Sequence, residues 1–538
     1  MSGILSTRDC FAFIQARLGS TRFPKKILKS IPENSNTTVL DHIHNRLSTI
    51  FPKEQIVFLV PESDTELIKF LQNRNYQYFI GSETDVRDRF RKACLHFHAK
   101  HIFRLTGDNP FVDLESIRYL YEAITYISDS YYSLSMVGLP LGMGVECFSA
   151  DSLLYETEGP IPERYTEHVS LHIKEHPEIH KQIRLQTHHL SHLTDVSQNA
   201  LRITVDEPKD YELVCKLWKE LGLKDPFFGA KEVLQLAKEN PKFFLINASV
   251  EQVVFSLPKV DRNSKKVRIV YAEPAEYGTG HLERCKSLAL FLEMKGYEVE
   301  LSTTPDLHSK DLPLPHVLDI RENEFHLPHE FYIDNTNHLP TKPNSSFFLP
   351  NPIAPITNKN LISYFSSPLS DLDWNQTTIP GRVLVYAGSL GDKNSKQIDD
   401  YLIRCLHLES PDKKTNISSV IRIGGSPPID QNIEFIARVS YIEFLKQIQS
   451  SEFVLTYFGQ TMMESITNGQ KICLVGITPI HESLGQFAEQ ELGIPYLGSL
   501  SSLTEKKNFP IDFPHSKIKL VRDAHIKIVK WLESIYES

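Results

Sequence analysis

The chain has 538 residues, room for about three or four domains at roughly 100–200 residues each. With 58 Lys plus Arg against 67 Asp plus Glu its formal charge is −9, which argues against a nucleic-acid or membrane-surface binder working through a basic field. Hydrophobic residues at 41% and charged residues at 23% match ordinary globular usage, and no stretch approaches the roughly 20 apolar residues of a membrane span.

The opening segment MSGILSTRDC carries Asp9 and no long apolar run, so it does not read as a secretory signal. Seven single cysteines without a CxxC pair fit a reducing compartment, and a cytoplasmic location is expected. Short β-rich runs at 10–15, 55–60, 101–105 and 201–205 alternate with helical patterns at 64–73 and 86–97, the signature of a parallel α/β sheet. This first domain is expected to span 1–245, with a linker at 246–266 that is most polar and basic in LPKVDRNSKK. A second βαβ start follows: a strand at 267–272, a helix at 282–295 stopped by Gly296, and a strand at 298–302. Residues 305–380 are proline-rich and carry no assignable periodicity. A further strand starts near Arg382 and another spans 419–423, so 267–380 and 381–538 read as two lobes.

Directly after the first strand comes QARLGSTRFPKK. Gln15, Ala16, Gly19 and Ser20 offer backbone and polar groups to a polyphosphate, and Arg17, Arg22, Lys25 and Lys26 offer charge. The GxxxxGK[ST] spacing is absent, so it is not a Walker A loop; a phosphate loop and a solvated basic loop both remain open. Asp108 in RLTGDNPFVD and Asp206 in LRITVDEPKD each follow a strand-like run. Carboxylates there can hold Mg²⁺ against phosphate oxygens, or simply start turns beside prolines.

Together with GSETDVRDRF, PLGMGVECFS and YTEHV, these segments occur in an order that resembles cytidylyltransferases of the spore coat polysaccharide SpsF type, over roughly residues 10 to 225. These are similar to the enzymes that activate KDO and acylneuraminate sugars with CTP. The resemblance implies a nucleotide-diphospho-sugar transferase (GT-A, Rossmann-like) fold and a loop around the CTP triphosphate. It also implies Asp108 and Asp206 on Mg²⁺, and Arg17, Arg22 and Lys25 stabilising phosphate charge. Glu146 and His168 would lie on the sugar side. Where members commonly read GLDVE this chain has Gly144 in place of the acid, which bears on substrate choice.

His168, His172, His176 and His180 are spaced by four. The spacing allows a metal pair, a solvated helix face or a substrate-side role for His168, and Pro177 is expected to break the ladder before His180.

In YAEPAEYGTGHLERC, His281 opens a helix carrying Arg284. Glu283 occupies the third glycine position, which disfavours a dinucleotide site and leaves a general acid/base or a helix-start histidine. AGSLGDKN and IRIGGSPP are further glycine loops, and YFGQTMMESITNG puts Gly459 at a helix start and Glu464 within the helix. Glu464 reads either as a ribose contact or as a surface residue. This half, roughly 267–500, resembles PseG-type and SpsG-type nucleotide-sugar hydrolases, two-lobed GT-B folds related to MurG glycosyltransferases. The resemblance implies UDP-sugar hydrolysis with His281 as base, and Arg284, Asp334, Gly459 and Glu464 on the ligand.

The expectation is a bifunctional sugar-nucleotide enzyme of surface or flagellar glycan synthesis, acting on CTP, a sugar acid and a UDP-sugar. A homodimer is the oligomer to test for, with no nucleic-acid or membrane partner. The alternatives are a fused glycosyltransferase and a non-catalytic nucleotide-sugar scaffold.

Overall fold

An apolar run with no polar face must be covered on both sides, and residues 10–15 form such a central strand. The computed structural model describes residues 5–156, 161–188, 190, 201–250, 265–272, 280–303, 314–320, 329–333, 361–363, 366–388, 390–407, 417–505, 509–510, 519–521 and 524–537. The chain divides into two compact units, Met1–Arg262 and Asn263–Ser538.

The first unit is built on β1 (Cys10–Gln15), β2 (Ile56–Pro61), β3 (Gln77–Gly81), β4 (His101–Thr106), β5 (Tyr132–Val137), β6 (Glu146–Ser149) and β7 (Lys181–Gln186), in the order β3-β2-β1-β4-β6-β5-β7. β1 lies between β2 and β4, parallel to both. The expected all-parallel sheet is instead mixed, because β6 runs antiparallel to β4 and to β5. On one face Phe13, Val57, Leu59 and Phe90 share a core, the last from the helix Val86–Phe97.

Residues 201–205, expected as a strand, form only an isolated bridge, Leu141 to Arg202. The segment is pinned by three backbone bonds: Leu141 N–H to Leu201 O (2.9 Å), Ile203 N–H to Leu141 O (2.7 Å) and Val205 N–H to Asp108 O (2.9 Å). Gly142 makes this approach possible. Its φ is +91°, and a Cβ there would stand 2.5 Å from the Thr204 nitrogen. At the end of the unit, Asn247 is buried and donates to Arg202 O and to the Asp210 carboxylate.

The second unit holds a parallel sheet of β8 (Lys265–Tyr271), β9 (Tyr297–Thr303), β10 (His316–Asp319) and β11 (Glu330–Tyr332), ordered β11-β10-β8-β9. β8 begins inside the stretch read as linker, and residues 251–264 of that stretch lie outside the described residues. After β12 (Leu361–Ser363) come β13 (Ile379–Gly388), β14 (Ser419–Gly424), β15 (Ile433–Ile436), β16 (Ser451–Thr456), β17 (Lys471–Gly476) and β18 (Tyr496–Ser499). These form a parallel sheet ordered β15-β14-β13-β16-β17-β18. β19 (Lys519–Val521) pairs with β12. The last helix, Ala524–Tyr536, sets Trp531 against Phe331 of β11 and His525 against Phe291 of the helix Gly280–Met294.

All seven cysteines are buried and free. Among the described residues no helix is long and apolar enough to cross a membrane.

Gly142→Ala is expected to destabilise the first unit by about 1–3 kcal/mol, the scale of one strained backbone position. Urea unfolding followed by circular dichroism checks it; an unchanged midpoint would mean that residues 201–205 do not need this close approach.

Candidate functional site

The C-terminal ends of parallel strands collect loops, and in the first unit the ends of β1 and β4 lie side by side. After β1, residues 16–25 are mostly exposed, but the loop is held at several points. Ala16 N–H donates to Leu59 O, Leu18 N–H to the Asp64 carboxylate (2.8 Å), and Phe23 N–H to Ser20 Oγ (3.3 Å). Gly19 is exposed with open space around it, and Arg17 and Arg22 are exposed. Lys25 turns outward to Glu66 at 2.6 Å.

Lys26 turns inward. Its Nζ donates to Asp108 Oδ2 and to Asp206 Oδ1, both at 2.7 Å. The two acids expected to share a cation are therefore brought to one point, Asp108 by the turn after β4 and Asp206 by the pinned 201–206 segment. Both oxygens lie within twice that distance of each other. Two full charges so placed repel by about 3 kcal/mol or more at an effective dielectric of about 20, and the ammonium between them offsets that repulsion. Burial pushes the Asp206 carboxyl up, but Lys26, Arg202 and Arg22 outweigh it and hold it below its ordinary value.

Asp206 is buttressed from behind. Arg202 pairs with both Asp206 and Asp210, and fully buried Asp210 accepts the backbone N–H groups of Asp206 and Glu207 at 3.0 Å each. That also caps the helix Pro208–Leu217. The donors suit a hard cation: Mg²⁺ in nucleotide sites takes one or two carboxylates from the protein and the rest from phosphates and water. The Lys26 ammonium stands in that position as a cation would. Among the described residues no group of three or more His, Cys, Asp or Glu gathers as a metal site.

Glu146 at the start of β6 accepts from Arg104 Nη1 (3.1 Å), Ser170 Oγ (2.8 Å) and Lys174. Burial alone would raise it, yet Lys174 and Arg104 hold it at about 2. Arg104 Nη2 also reaches Gln15 Oε1 at 3.5 Å, so Gln15 and Glu146 face one guanidinium. Gly144 is exposed, and a Cβ there would meet only Leu139 Cδ1, at 3.6 Å.

The histidine ladder is not the solvated helix face that its spacing allowed. The helix Leu171–Glu175 stops before Pro177, and His172 and His180 are buried on Ser152, at 3.1 Å to its carbonyl and hydroxyl oxygens respectively. Burial, with nearby positive charge, lowers them to about 3 and about 4, so both are neutral core groups. His168 is half-buried just before this helix.

In the second unit, His281 and Arg284 lie on the helix Gly280–Met294, one turn apart, and both meet Asp319 at the end of β10. His281 Nδ1 is 2.8 Å from Asp319 Oδ1, Arg284 pairs with the same carboxylate, and Cys285 Sγ donates to it at 3.4 Å. Burial pushes Asp319 up, but Arg284 and His281 outweigh it and hold it well below the usual carboxylate range. Asp334 lies outside the described residues.

Three glycine loops of the other sheet meet at neighbouring strand ends. Gly425 N–H donates to Gly388 O at 3.0 Å, and at Gly424, with φ +80°, a Cβ would stand 2.7 Å from that oxygen. Tyr457 and Gly459 follow the adjacent β16. Glu464 is not the surface residue that one reading allowed: it is buried in the helix Gln460–Thr467, accepting from Tyr441 Oη (2.6 Å) and Gln460 Nε2 (3.1 Å).

Sequence reasoning did not assign Lys26 to the acidic pair, and it missed Arg104, Lys174, Arg202, Asp210 and Asp319. Asp319 had a usable signal, since HVLD is an apolar run ending in a carboxylate, the same pattern that singled out Asp108.

The site is a loop at the C-terminal ends of the parallel strands with an acidic pair bridged by an ammonium. The sequence matches the family model for cytidylyltransferases over residues 11–241. It is 32% identical over 239 residues to the spore coat polysaccharide biosynthesis protein SpsF of Bacillus subtilis, covering 43% of this chain and 95% of that protein. It is 27% identical over 241 residues to an uncharacterized protein of Methanocaldococcus jannaschii, covering 44% and 94%. A solved cytidylyltransferase structure from Leptospira borgpetersenii is 23% identical with a TM-score of 0.40, covering 46% of this chain and 99% of that one. The chain belongs to the cytidylyltransferase family, and its first unit is a nucleotidyltransferase domain.

Because Glu146 is held at about 2, below its ordinary 4.5, its ionised form stabilises the fold above pH 4.5, and that stabilisation is lost as pH falls towards 2. Glu146→Gln is therefore expected to lower the urea midpoint at neutral pH and to converge with the wild type on acidification. A difference that does not depend on pH would contradict the ion-pair account.

Proposed function

We propose that the first unit transfers the cytidylyl group of CTP to a sugar acid, releasing pyrophosphate. The observation that carries this reading is the convergence of Asp108 and Asp206 on one cationic group beside the Gln15–Lys26 loop, in a chain of the cytidylyltransferase family. A sugar oxygen attacks the α-phosphorus and pyrophosphate leaves. Gln15, Ala16, Gly19 and Ser20 line the triphosphate path, and Arg17 and Arg22 offset the charge that grows on the phosphates, whereas Lys25, expected to share that task, is paired with Glu66 instead. Mg²⁺ held by Asp108 and Asp206 would supply Lewis-acid charge to the phosphate oxygens. The sugar side falls to Glu146 and His168. The SpsF relative is named for polysaccharide synthesis, which supports a sugar acceptor.

For the second unit we propose a two-lobed, GT-B-like module that binds and hydrolyses a UDP-sugar. The fixed position of His281 against Asp319 and Arg284 supports its use as a general base, and three glycine loops at adjoining strand ends support a nucleotide-sugar seat near Gly459 and Glu464. A hydrolase that frees a modified hexose and a transferase that loads the finished acid serve one route, with a condensation between them.

The test is pyrophosphate release from CTP with Mg²⁺ against KDO, neuraminic, legionaminic and pseudaminic acids, with ATP, GTP and UTP as controls. CTP-specific release with one acid is expected; no release by folded, CTP-binding protein would turn the reading towards a binding role. Asp108→Ala is expected to abolish release and to spare UDP-sugar hydrolysis, and His281→Ala to do the reverse. Loss of both activities from either change would contradict independent sites.

A further inference from the structure

We propose that Lys26 is the resident counter-ion of the acidic pair and that it makes divalent-metal binding depend on the nucleotide. This rests on the reading of Asp108 and Asp206 as metal ligands. The Lys26 Nζ lies 2.7 Å from an oxygen of each carboxylate, and its side chain is only 12% exposed, against 22% for Asp108 and 19% for Asp206. The ammonium thus takes up one oxygen of each acid that a metal would use. Arg202 and Arg22 add positive charge on the Asp206 side.

A metal ion arriving alone must displace this ammonium and leave it without its two carboxylates, while also approaching Arg202 and Arg22. A nucleotide triphosphate changes both terms. Its oxygens give the displaced ammonium a new anionic partner, and they complete a coordination shell that two carboxylates leave open. The exchange needs only the side chain to swing, because Ile27, the next residue, is buried and fixes the backbone while the lysine stem has four flexible carbons. Each ligand therefore tightens the other by the same factor, as linkage requires. A carboxylate pair with no built-in cation would take up the metal without nucleotide.

The experiment uses the full chain and Mn²⁺, with free Mn²⁺ followed by electron paramagnetic resonance. Without nucleotide, Lys26→Met is expected to bind Mn²⁺ about tenfold or more tighter than the wild type, within the usual range of coupling between two ligands. Lys26→Arg, which keeps the charge, is expected to stay weak. Thermal melts give a second readout: the Lys26→Met midpoint is expected to fall in EDTA and to recover with Mn²⁺, while the wild type shifts little. With CTP, the ratio of CTP affinities in the presence and absence of Mn²⁺ is expected to be smaller in Lys26→Met by about the same factor. The Mn²⁺–CTP complex in solution is common to both proteins, so the difference between them isolates Lys26. Equal or weaker Mn²⁺ binding by a folded Lys26→Met protein would overturn the proposal. Adding Asp108→Asn to Lys26→Met is expected to remove the gained binding; if the gain persists, the metal is held elsewhere, and it is the reading of the acidic pair that fails.

Discussion

The first unit is organised around one ammonium held by two carboxylates. Lys26 reaches Asp108 across 82 positions of sequence and Asp206 across 180, so one ion bridge ties together the loop after β1, the turn after β4 and the extended segment before the helix Pro208–Leu217. Asp108 and Asp206 stand in irregular segments, and Lys26 opens a single 3-10 turn, Lys26–Leu28. Each is positioned by something more rigid: β1 and β4 by their pairing, and the third segment by Gly142 and by Asp210. Carboxylates brought this close need positive charge between or behind them, and Lys26 and Arg202 supply it. The charge of the two carboxylates is thus offset within the fold itself.

The second unit solves a related problem more deeply. Asp319 is fully buried, with Arg284 and His281 against it, where Asp108 and Asp206 stay part-open. A buried carboxylate with a guanidinium on it is fixed in its ionised form, and it orients the histidine beside it. The first arrangement leaves its carboxylates partly open to solvent, and the second holds one imidazole in one place.

Much of this fold was legible from local pattern. The strand at 10–15 and the helix at 86–97 fall where apolar runs and periodicity put them, and Asp108, Asp206, His281 and Arg284 each stand out in the sequence as candidate site residues. What was not legible depends on long-range pairing. The apolar rhythm of residues 201–205 is that of a strand, yet these residues bond to Leu141 and Asp108 across a glycine gap rather than joining the sheet. Strand direction was also hidden, because the four residues of β6 read the same whichever way the strand runs. The histidine spacing suggested a helix face, but Pro177 ends the helix and turns His180 back into the core beside His172. Lys26 looked like one more loop cation, because nothing in QARLGSTRFPKK separates a lysine that faces solvent, such as Lys25, from one that faces two acids.

The most direct measurement is the anomalous difference density of crystals grown with CTP and Mn²⁺. The account predicts a manganese peak between the Asp108 and Asp206 carboxylates, with the Lys26 ammonium moved off them and onto a phosphate oxygen of the nucleotide. A peak away from this pair, or bound CTP with Lys26 still bridging both acids, would contradict it.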